Sequence, residues 1–304
     1  MRALTYDPAA PQGLRLRDVP EPVPGSSQAL IGVEAFALNF GELAYLSGAR
    51  QPGEVPGWDA AGTVIRAAAD GSGPAEGTRV VTFGWSGAWA EQRAADISEL
   101  AAVPASVDLG AASALPVAGV TALRALRELG PVIGRRVLVT GASGGVGRFA
   151  VQLAARAGAH VIAAVGSPAR GEGLRELGAS AVVTSLAEVG EPVFGVLDNV
   201  GGAILAEAFS LTAAGGSVQS IGQASQQPTV IDFEAERHRG GGRRIEPFVV
   251  GGGFGPDLAY LTGLLEAGEL DPQVGWRSSW DQAADAAEAL LGRRIRGKAV
   301  LDVT

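Results

Sequence analysis

The chain has 304 residues, 47% of them hydrophobic and 18% charged, with a formal net charge of −8. That length holds roughly two domains, and the composition is that of a globular protein with a large core. The acidic balance argues against non-specific nucleic-acid binding, no apolar run is long and uninterrupted enough to span a bilayer, and the absence of cysteine excludes disulfides, a thiol nucleophile and a thiolate metal site.

Met1 to Tyr6 begins like a strand and runs into Asp7-Pro8 with no apolar signal segment, so a cytoplasmic location is the expectation. Up to about residue 105 the pattern is short strands and turns, with strands expected over 3–6, 14–19, 28–38, 62–67, 79–83 and 88–94. Pro20, Pro22 and Pro24 interrupt pairing between the second and third, and one short helix is expected over 41–47. From Ser106 the pattern changes. Helices are expected over 108–113 and 116–129, the second with apolar residues at 117, 120, 123 and 126.

Residues 136–158, RVLVTGASGGVGRFAVQLAARAG, organise the rest. Val137 to Thr140 read as a buried strand, a glycine-dense turn follows, and Phe149, Ala150, Leu153, Ala154 and Ala157 recur at helical spacing. Ala142, Gly144 and Gly147 fall on the G-x-G-x-x-G pattern with alanine in its first place. The strand before and the helix after supply the context that pattern needs. Such a turn lets backbone approach a pyrophosphate, which the helix N-terminus then favours, so Ala142, Ser143, Gly144, Gly145, Val146 and Gly147 are candidate cofactor residues. Alternation continues with strands at 160–165, 181–184, 195–198 and 217–221 and helices at 168–177 and 203–211. This is the α/β pattern of a doubly wound parallel sheet. Residues 223–255 are loop-rich with one strand at 247–250, and helices at 257–267 and 280–291 precede a last strand at 298–303. The basic cluster Arg237, His238, Arg239, Arg243 and Arg244 reads as a solvated loop or a phosphate contact.

An NAD-binding unit ends its second strand with a carboxylate roughly 20 residues beyond the glycines, on the ribose 2′-hydroxyl. Here the strand runs into Gly166, Ser167, Pro168, Ala169 and Arg170. A hydroxyl and a guanidinium at that place suit a 2′-phosphate, which favours NADPH; Ser167 as a mere helix cap and Arg170 as a surface residue is the competing reading. Asn199-Val200 and Ile221-Gly222-Gln223 follow expected strands at the end where ligands bind in open α/β sheets, and are otherwise plain turns.

Several blocks together resemble the medium-chain dehydrogenase/reductase superfamily: Ala37-Leu-Asn-Phe-Gly-Glu42, Pro56-Gly-Trp-Asp-Ala-Ala-Gly62, Leu115-Pro-Val-Ala-Gly-Val-Thr-Ala122, the glycine turn, Leu197-Asp-Asn-Val-Gly-Gly202, Gly216-Ser-Val-Gln-Ser-Ile-Gly222 and Gly297-Lys-Ala-Val-Leu301. Within it the chain resembles the zinc-free quinone oxidoreductases, the zeta-crystallin-like branch with its enone and enoyl reductases. The resemblance implies a GroES-like β-rich catalytic domain over residues 1–110 and 246–304, a Rossmann NADP-binding domain over 111–245, substrate between them, and a homodimer. Zinc-containing relatives carry Cys and a Gly-His-Glu where this chain has Asn39 and Gly57-Trp58-Asp59; with only His160 and His238 and no cysteine, no metal site is expected.

The same resemblance assigns candidate roles. Asn39 matches an asparagine beside the nicotinamide ribose and substrate, or is only a turn residue. Tyr45 matches a tyrosine facing the cofactor, a donor of a proton or of a hydrogen bond to an enolate, or a half-buried aromatic bonded to backbone. Glu42, where relatives often have Asp, orients Asn39 or caps the short helix, and Asp59 is structural or supports the residues that touch the ligand. Thr121 touches the nicotinamide end, or is a helix threonine bonded to its own backbone. Phe248, Val249 and Val250 line the nicotinamide pocket. Trp58, Trp85, Trp89 and Trp276 line an apolar slot or fill core. The implied activity is zinc-independent, NADPH-dependent reduction of quinones or of C=C bonds conjugated to a carbonyl. A tailoring enoyl or ketone reductase of secondary metabolism and a non-catalytic NADPH-binding sensor stand as alternatives.

Overall fold

Alternating apolar residues build strands from the first residues of the computed structural model, which describes residues 1–304. The chain forms β1 (Arg2–Tyr6), β2 (Leu14–Asp18), β3 (Gln28–Leu38), α1 (Phe40–Ala44), α2 (Leu46–Ala49), β4 (Asp59–Arg66), β5 (Arg79–Phe83), β6 (Gln92–Asp96), β7 (Leu100–Ala102) and α3 (Leu109–Ser113). One turn of π-helix, Pro116–Val120, follows; the Val120 amide reaches back five residues to the Leu115 carbonyl at 3.3 Å. Next come α4 (Thr121–Glu128), β8 (Arg136–Thr140), α5 (Gly145–Arg156), β9 (His160–Ala164), β10 (Ala179–Val183), β11 (Val193–Asp198), α6 (Gly202–Ser210), β12 (Thr212–Ser220), α7 (Phe233–Arg239) and β13 (Arg244–Pro247). The chain ends with α8 (Gly255–Glu266), β14 (Val274–Ser279), α9 (Ala283–Leu291) and β15 (Lys298–Asp302). No helix is long and apolar enough to cross a membrane.

Contacts divide the chain into two units, residues 1–120 with 251–304, and residues 121–250. The first division falls beyond residue 110 because α3 packs on β3, β4, β5 and β15 of the first unit. In that unit β14-β15-β3-β4-β5-β7 form one sheet, with β6 also on β3. The last strand returns antiparallel on β3 with Ala299 opposite Leu38, and β4 runs antiparallel on the other side with Asp59 opposite Ala37. Phe36, Leu38, Trp89, Trp280 and Leu301 fill its main core. Trp89 is thus core and lines no slot, and Trp276 packs on the edge of the same cluster.

The second unit is a six-stranded sheet in the order β10-β9-β8-β11-β12-β13, every pair parallel. Strand order reverses on the two sides of β8, which makes the C-terminal ends of β8 and β11 a topological switch point. Leu138, Ile162, Val196, Phe209 and Val218 form its core.

Several expectations shift. The helix over 168–177 is only a 3₁₀ turn, Pro168–Gly171; Gly173 takes φ +79° and ends any helical path. The helix over 116–129 opens with the π turn, in which the Val120 amide bonds to the Leu115 carbonyl five residues back. The strand over 88–94 lies at Gln92–Asp96, because Ala88 and Trp89 are taken into the core and Ala90 makes only a single bridge to Ala3. The strand over 247–250 lies at Arg244–Pro247, so Phe248, Val249 and Val250 follow it. Strands β7 and β14 and helix α7 were not expected. Most of the basic cluster is spent on α7's own glutamates, Arg237 pairing with Glu234 and Arg239 and Arg243 with Glu236, while Arg244 pairs with Glu246 of β13.

Candidate active site and cofactor turn

In the first unit the register of three neighbouring strands brings a polar cluster together. Asn39 leaves the end of β3, Asp59 starts β4 and Lys298 starts β15. Asn39 caps α1, and three residues on Glu42 turns back to its amide at 2.9 Å, as in a capping box. The Asn39 side-chain amide donates one proton to Glu42 Oε2 at 2.8 Å and the other to Asp59 Oδ2 at 2.9 Å. Its Oδ1 accepts from Lys298 Nζ at 2.7 Å. The lysine also donates to Asp59 Oδ2 and to the Leu38 carbonyl, both at 3.2 Å. This fixes the amide: its oxygen faces a group that only donates and its nitrogen faces two that accept. Glu42 Oε1 accepts the Trp58 amide at 2.6 Å and Asp59 Oδ1 the Val117 amide at 3.0 Å, so Glu42 both orients Asn39 and caps α1. Arg93 donates to the Trp58 carbonyl at 2.8 Å and to Thr82 at 3.0 Å.

Asn39, Glu42, Asp59, Arg93 and Lys298 are each 8% exposed or less. Asp59 pairs with the Lys298 ammonium at 3.2 Å, which offsets the cost of burying those two charges. Burial, with the Asp59 charge added, pushes the Glu42 carboxyl up to about 8, and burial brings the Arg93 guanidinium down to about 10. Sequence reasoning did not single out Lys298 or Arg93. A signal existed for the first: a lone cation in the apolar terminal strand Gly297-Lys-Ala-Val-Leu301. Tyr45 stands at the C-terminal end of α1 and is half exposed. Trp58 and Trp85 meet edge to face.

The second unit gathers the cofactor candidates at its switch point. Gly144 precedes α5 with no capping side chain, so no side chain claims the first amides of the helix. A Cβ on Gly144 would come no nearer than 3.5 Å to any atom, whereas one on Gly147 would lie 2.5 Å from the Gly141 carbonyl oxygen and 2.6 Å from Ala142 Cα. The first glycine thus leaves the approach open, and the second lets helix pack on strand. Ala142 is fully buried and donates its amide to the Ala164 carbonyl at 3.1 Å, tying the turn to β9. Asp198, buried at the end of β11, accepts from the Thr140 hydroxyl at 2.5 Å and the Gly201 amide at 2.9 Å. Burial raises its pKa. Asn199 donates to Thr140 through its amide at 3.1 Å and its side chain at 2.9 Å.

The Ile221 and Gly222 amides bond to the Asp198 carbonyl at 2.8 and 3.1 Å, and Ser225 to that of Val200 at 2.8 Å. Asn199, Val200, Ile221, Gly222 and the adjoining Gln223 therefore form one stitched edge beside the glycine turn. Arg170 Nε donates to Ser143 Oγ at 3.0 Å, joining two candidates 27 residues apart. Ser167 precedes the 3₁₀ turn without making a capping bond. Thr121 is buried at the start of α4, which packs on α5. The Phe248 amide extends the β13 pairing to Ser220 at 3.0 Å, Val249 is exposed, and the Val250 carbonyl accepts from Arg124.

Comparison with known proteins agrees with this division. Residues 25–105 match the alcohol dehydrogenase GroES-like domain and residues 145–258 the zinc-binding dehydrogenase model. The chain is 34% identical over 92% of its length to erythronolide synthase EryA2 of Saccharopolyspora erythraea, of which it spans 8%. It is 36% identical over 55% of its length to the chloroplastic quinone-oxidoreductase QR1 of Triphysaria versicolor, of which it spans 56%. It is 30% identical over 99% of its length to a probable mitochondrial zinc-binding oxidoreductase of Arthroderma benhamiae, spanning 96% of that protein. Among solved structures, the quinone oxidoreductase of Coxiella burnetii is 27% identical with a TM-score of 0.87, covering 100% of this chain and 99% of its own. A mycobacterial protein solved with NADPH has the same identity and TM-score, covering 99% of both chains.

The donor set does not fit the zinc in one model's description. There is no thiol, His160 opens β9, His238 lies in α7, and no three His, Asp or Glu side chains converge. The oxygens of Asn39 and Asp59 are turned instead on the Lys298 ammonium. With both domain models matched in order and a relative similar over nearly its whole length, the chain belongs to the medium-chain dehydrogenase/reductase superfamily.

Proposed function

We propose that the protein is a zinc-independent, NADPH-dependent oxidoreductase, acting as a cytoplasmic homodimer, that reduces quinones or the C=C bond of α,β-unsaturated carbonyl compounds. One observation carries the reading: Asn39, Glu42, Asp59 and Lys298 satisfy one another and offer no ligand set for a Lewis-acid metal. An acceptor already activated by conjugation needs only hydrogen-bond donors at the oxygen where charge develops.

The cofactor, when bound, supplies the hydride. The amides of Ser143, Gly144, Gly145 and Val146 suit its pyrophosphate, with Ala142 and Gly147 setting the tightness of the turn. Ser167 and Arg170 recognise the 2′-phosphate. The bond from Arg170 to Ser143 supports this, because it ties the guanidinium to the phosphate turn. Gly166 leaves that approach free of side chain. Asn199, Val200, Ile221, Gly222 and Gln223 hold the nicotinamide ribose, and Thr121, Phe248, Val249 and Val250 its nicotinamide end. Asn39, locked by its partners, presents a fixed edge to substrate, while the Tyr45 hydroxyl holds the developing enolate oxygen or gives the α-carbon its proton.

The solved relative with NADPH bound supports the cofactor, and the quinone oxidoreductase relatives support the acceptor. The likeness to erythronolide synthase favours a second reading, an enoyl thioester acceptor. Stopped-flow oxidation of NADPH against quinones, enals, enones and a short enoyl thioester tests all of these. Turnover of the first three classes is expected. No turnover with any acceptor refutes the proposal, and turnover of the thioester alone selects the second reading.

A further inference from the structure

We propose that the open face of Trp85 is a stacking platform that selects flat, fused-ring quinones among the acceptors of this enzyme; the proposal rests on the reductase reading above. Trp85 is 55% exposed, an unusual state for the largest apolar side chain in a chain with five tryptophans. It is nevertheless packed against aromatic neighbours. Its ring stands perpendicular to two neighbours, Phe83 at 5.0 Å and 81° and Trp58 at 5.5 Å and 83°. Phe83 is itself stacked face to face on buried Phe254 at 3.8 Å.

The backbone around the ring is fixed as well. The Gly84 amide bonds to the Trp58 carbonyl at 3.1 Å, the Gly87 amide to the Val55 and Pro56 carbonyls at 3.1 Å, and Arg50 donates to the Trp85 carbonyl. Gly57, at φ +106°, brings the Trp58 segment so close to Trp89 that a Cβ there would lie 2.5 Å from the ring. The platform adjoins the buried cluster through Trp58, whose amide bonds to Glu42 and whose ring tip would lie 3.5 Å from a Cβ on Gly41 in α1.

This wall suits one kind of acceptor. A quinone ring is electron-poor and indole is the most electron-rich side chain, which favours an offset stack. Reduction adds two electrons and two protons to the ring, hydride from the cofactor and a proton from Tyr45 or water. The electron-rich hydroquinone then loses this complementarity, and the platform favours release of product. An open-chain enal has no face to stack.

The test compares kcat/KM for a naphthoquinone and an open-chain enal in wild type, Trp85→Ala, Trp85→Leu and Trp85→Phe. An aromatic pair worth about 0.5–1.5 kcal/mol corresponds to about a 2- to 12-fold loss. That loss is expected for the naphthoquinone with Ala and with Leu, with partial recovery with Phe and a smaller loss for the enal. Leu keeps the bulk without the π face, so it also serves if the alanine variant fails to fold. Equal losses on both acceptors, or none on the naphthoquinone, overturn the proposal. If wild type turns over no acceptor, the reductase reading falls separately. Calorimetric titration of naphthoquinone then decides the platform: weaker binding to Trp85→Leu supports it, and equal binding overturns it.

Discussion

Replacing Lys298 by Met asks most of the buried cluster. The substitution removes one ammonium and keeps an unbranched chain of similar length, so little cavity is expected. It strips partners from three oxygens at once: Asn39 Oδ1, Asp59 Oδ2 and the Leu38 carbonyl. Asp59 is fully buried, out of reach of bulk solvent. Removing one member of a buried ion pair costs about 3–5 kcal/mol, whereas neutralising both members is often close to neutral. A unit of this size moves by about 2–4 °C per kcal/mol, so the unfolding midpoint falls on the order of 10 °C. Differential scanning calorimetry of Lys298→Met and of Lys298→Met/Asp59→Asn measures this directly, with the double variant recovering most of the loss. The single variant also takes the donor from Asn39 Oδ1, so kcat should fall with the midpoint. A midpoint lowered by less than about 2 °C, or a double variant no more stable than the single, refutes the argument.

Glu42 makes stability depend on pH. Its carboxyl rises from 4.5 to about 8, by burial first and Asp59 second. Between those values the folded state holds a proton that the unfolded state has released, so stability is greatest near the lower value, falls as pH rises, and levels off above about 8. Glu42→Gln should flatten that slope in urea titrations across the window; an unchanged slope removes Glu42 as its source. Arg170→Ala should weaken NADPH binding about 10- to 150-fold, the worth of a charge-assisted bond of about 1.5–3 kcal/mol, and NADH binding far less. Equal losses in calorimetric titrations would mean that the 2′-phosphate is read elsewhere. Gly147→Ala drives a Cβ against backbone at 2.5 and 2.6 Å, while Gly144→Ala meets nothing nearer than 3.5 Å. The first should therefore lose about 1–3 kcal/mol of stability in urea titration and the second almost none; similar losses would contradict the packing at the turn.

What could be read from the sequence was what short windows encode. The strand at 136–140, the glycine turn and α5 follow from local periodicity and from glycines at fixed offsets, and the long apolar run of β3 marked both its ends. Elements whose residues bury little were missed for the same reason. Helix α7 buries no residue, and β14 is an edge strand of half-exposed positions interrupted by Gly275. The expected helix at 168–177 failed because its spacing suited a helix while its glycines suited a turn. Asn39 and Glu42 were visible as neighbours three residues apart, with Glu42 expected to orient Asn39 or cap the short helix, but the cluster they belong to was not. Asp59 and Lys298 join them only because β4 and β15 flank β3 in a particular register, Asp59 opposite Ala37 and Ala299 opposite Leu38. A slip of one residue would turn each side chain to the opposite face. The sequence by itself thus determined the cofactor turn, a local matter of backbone freedom at a helix start. The buried polar cluster beside Trp58 was decided by the tertiary structure, because it depends on pairing strands more than two hundred residues apart.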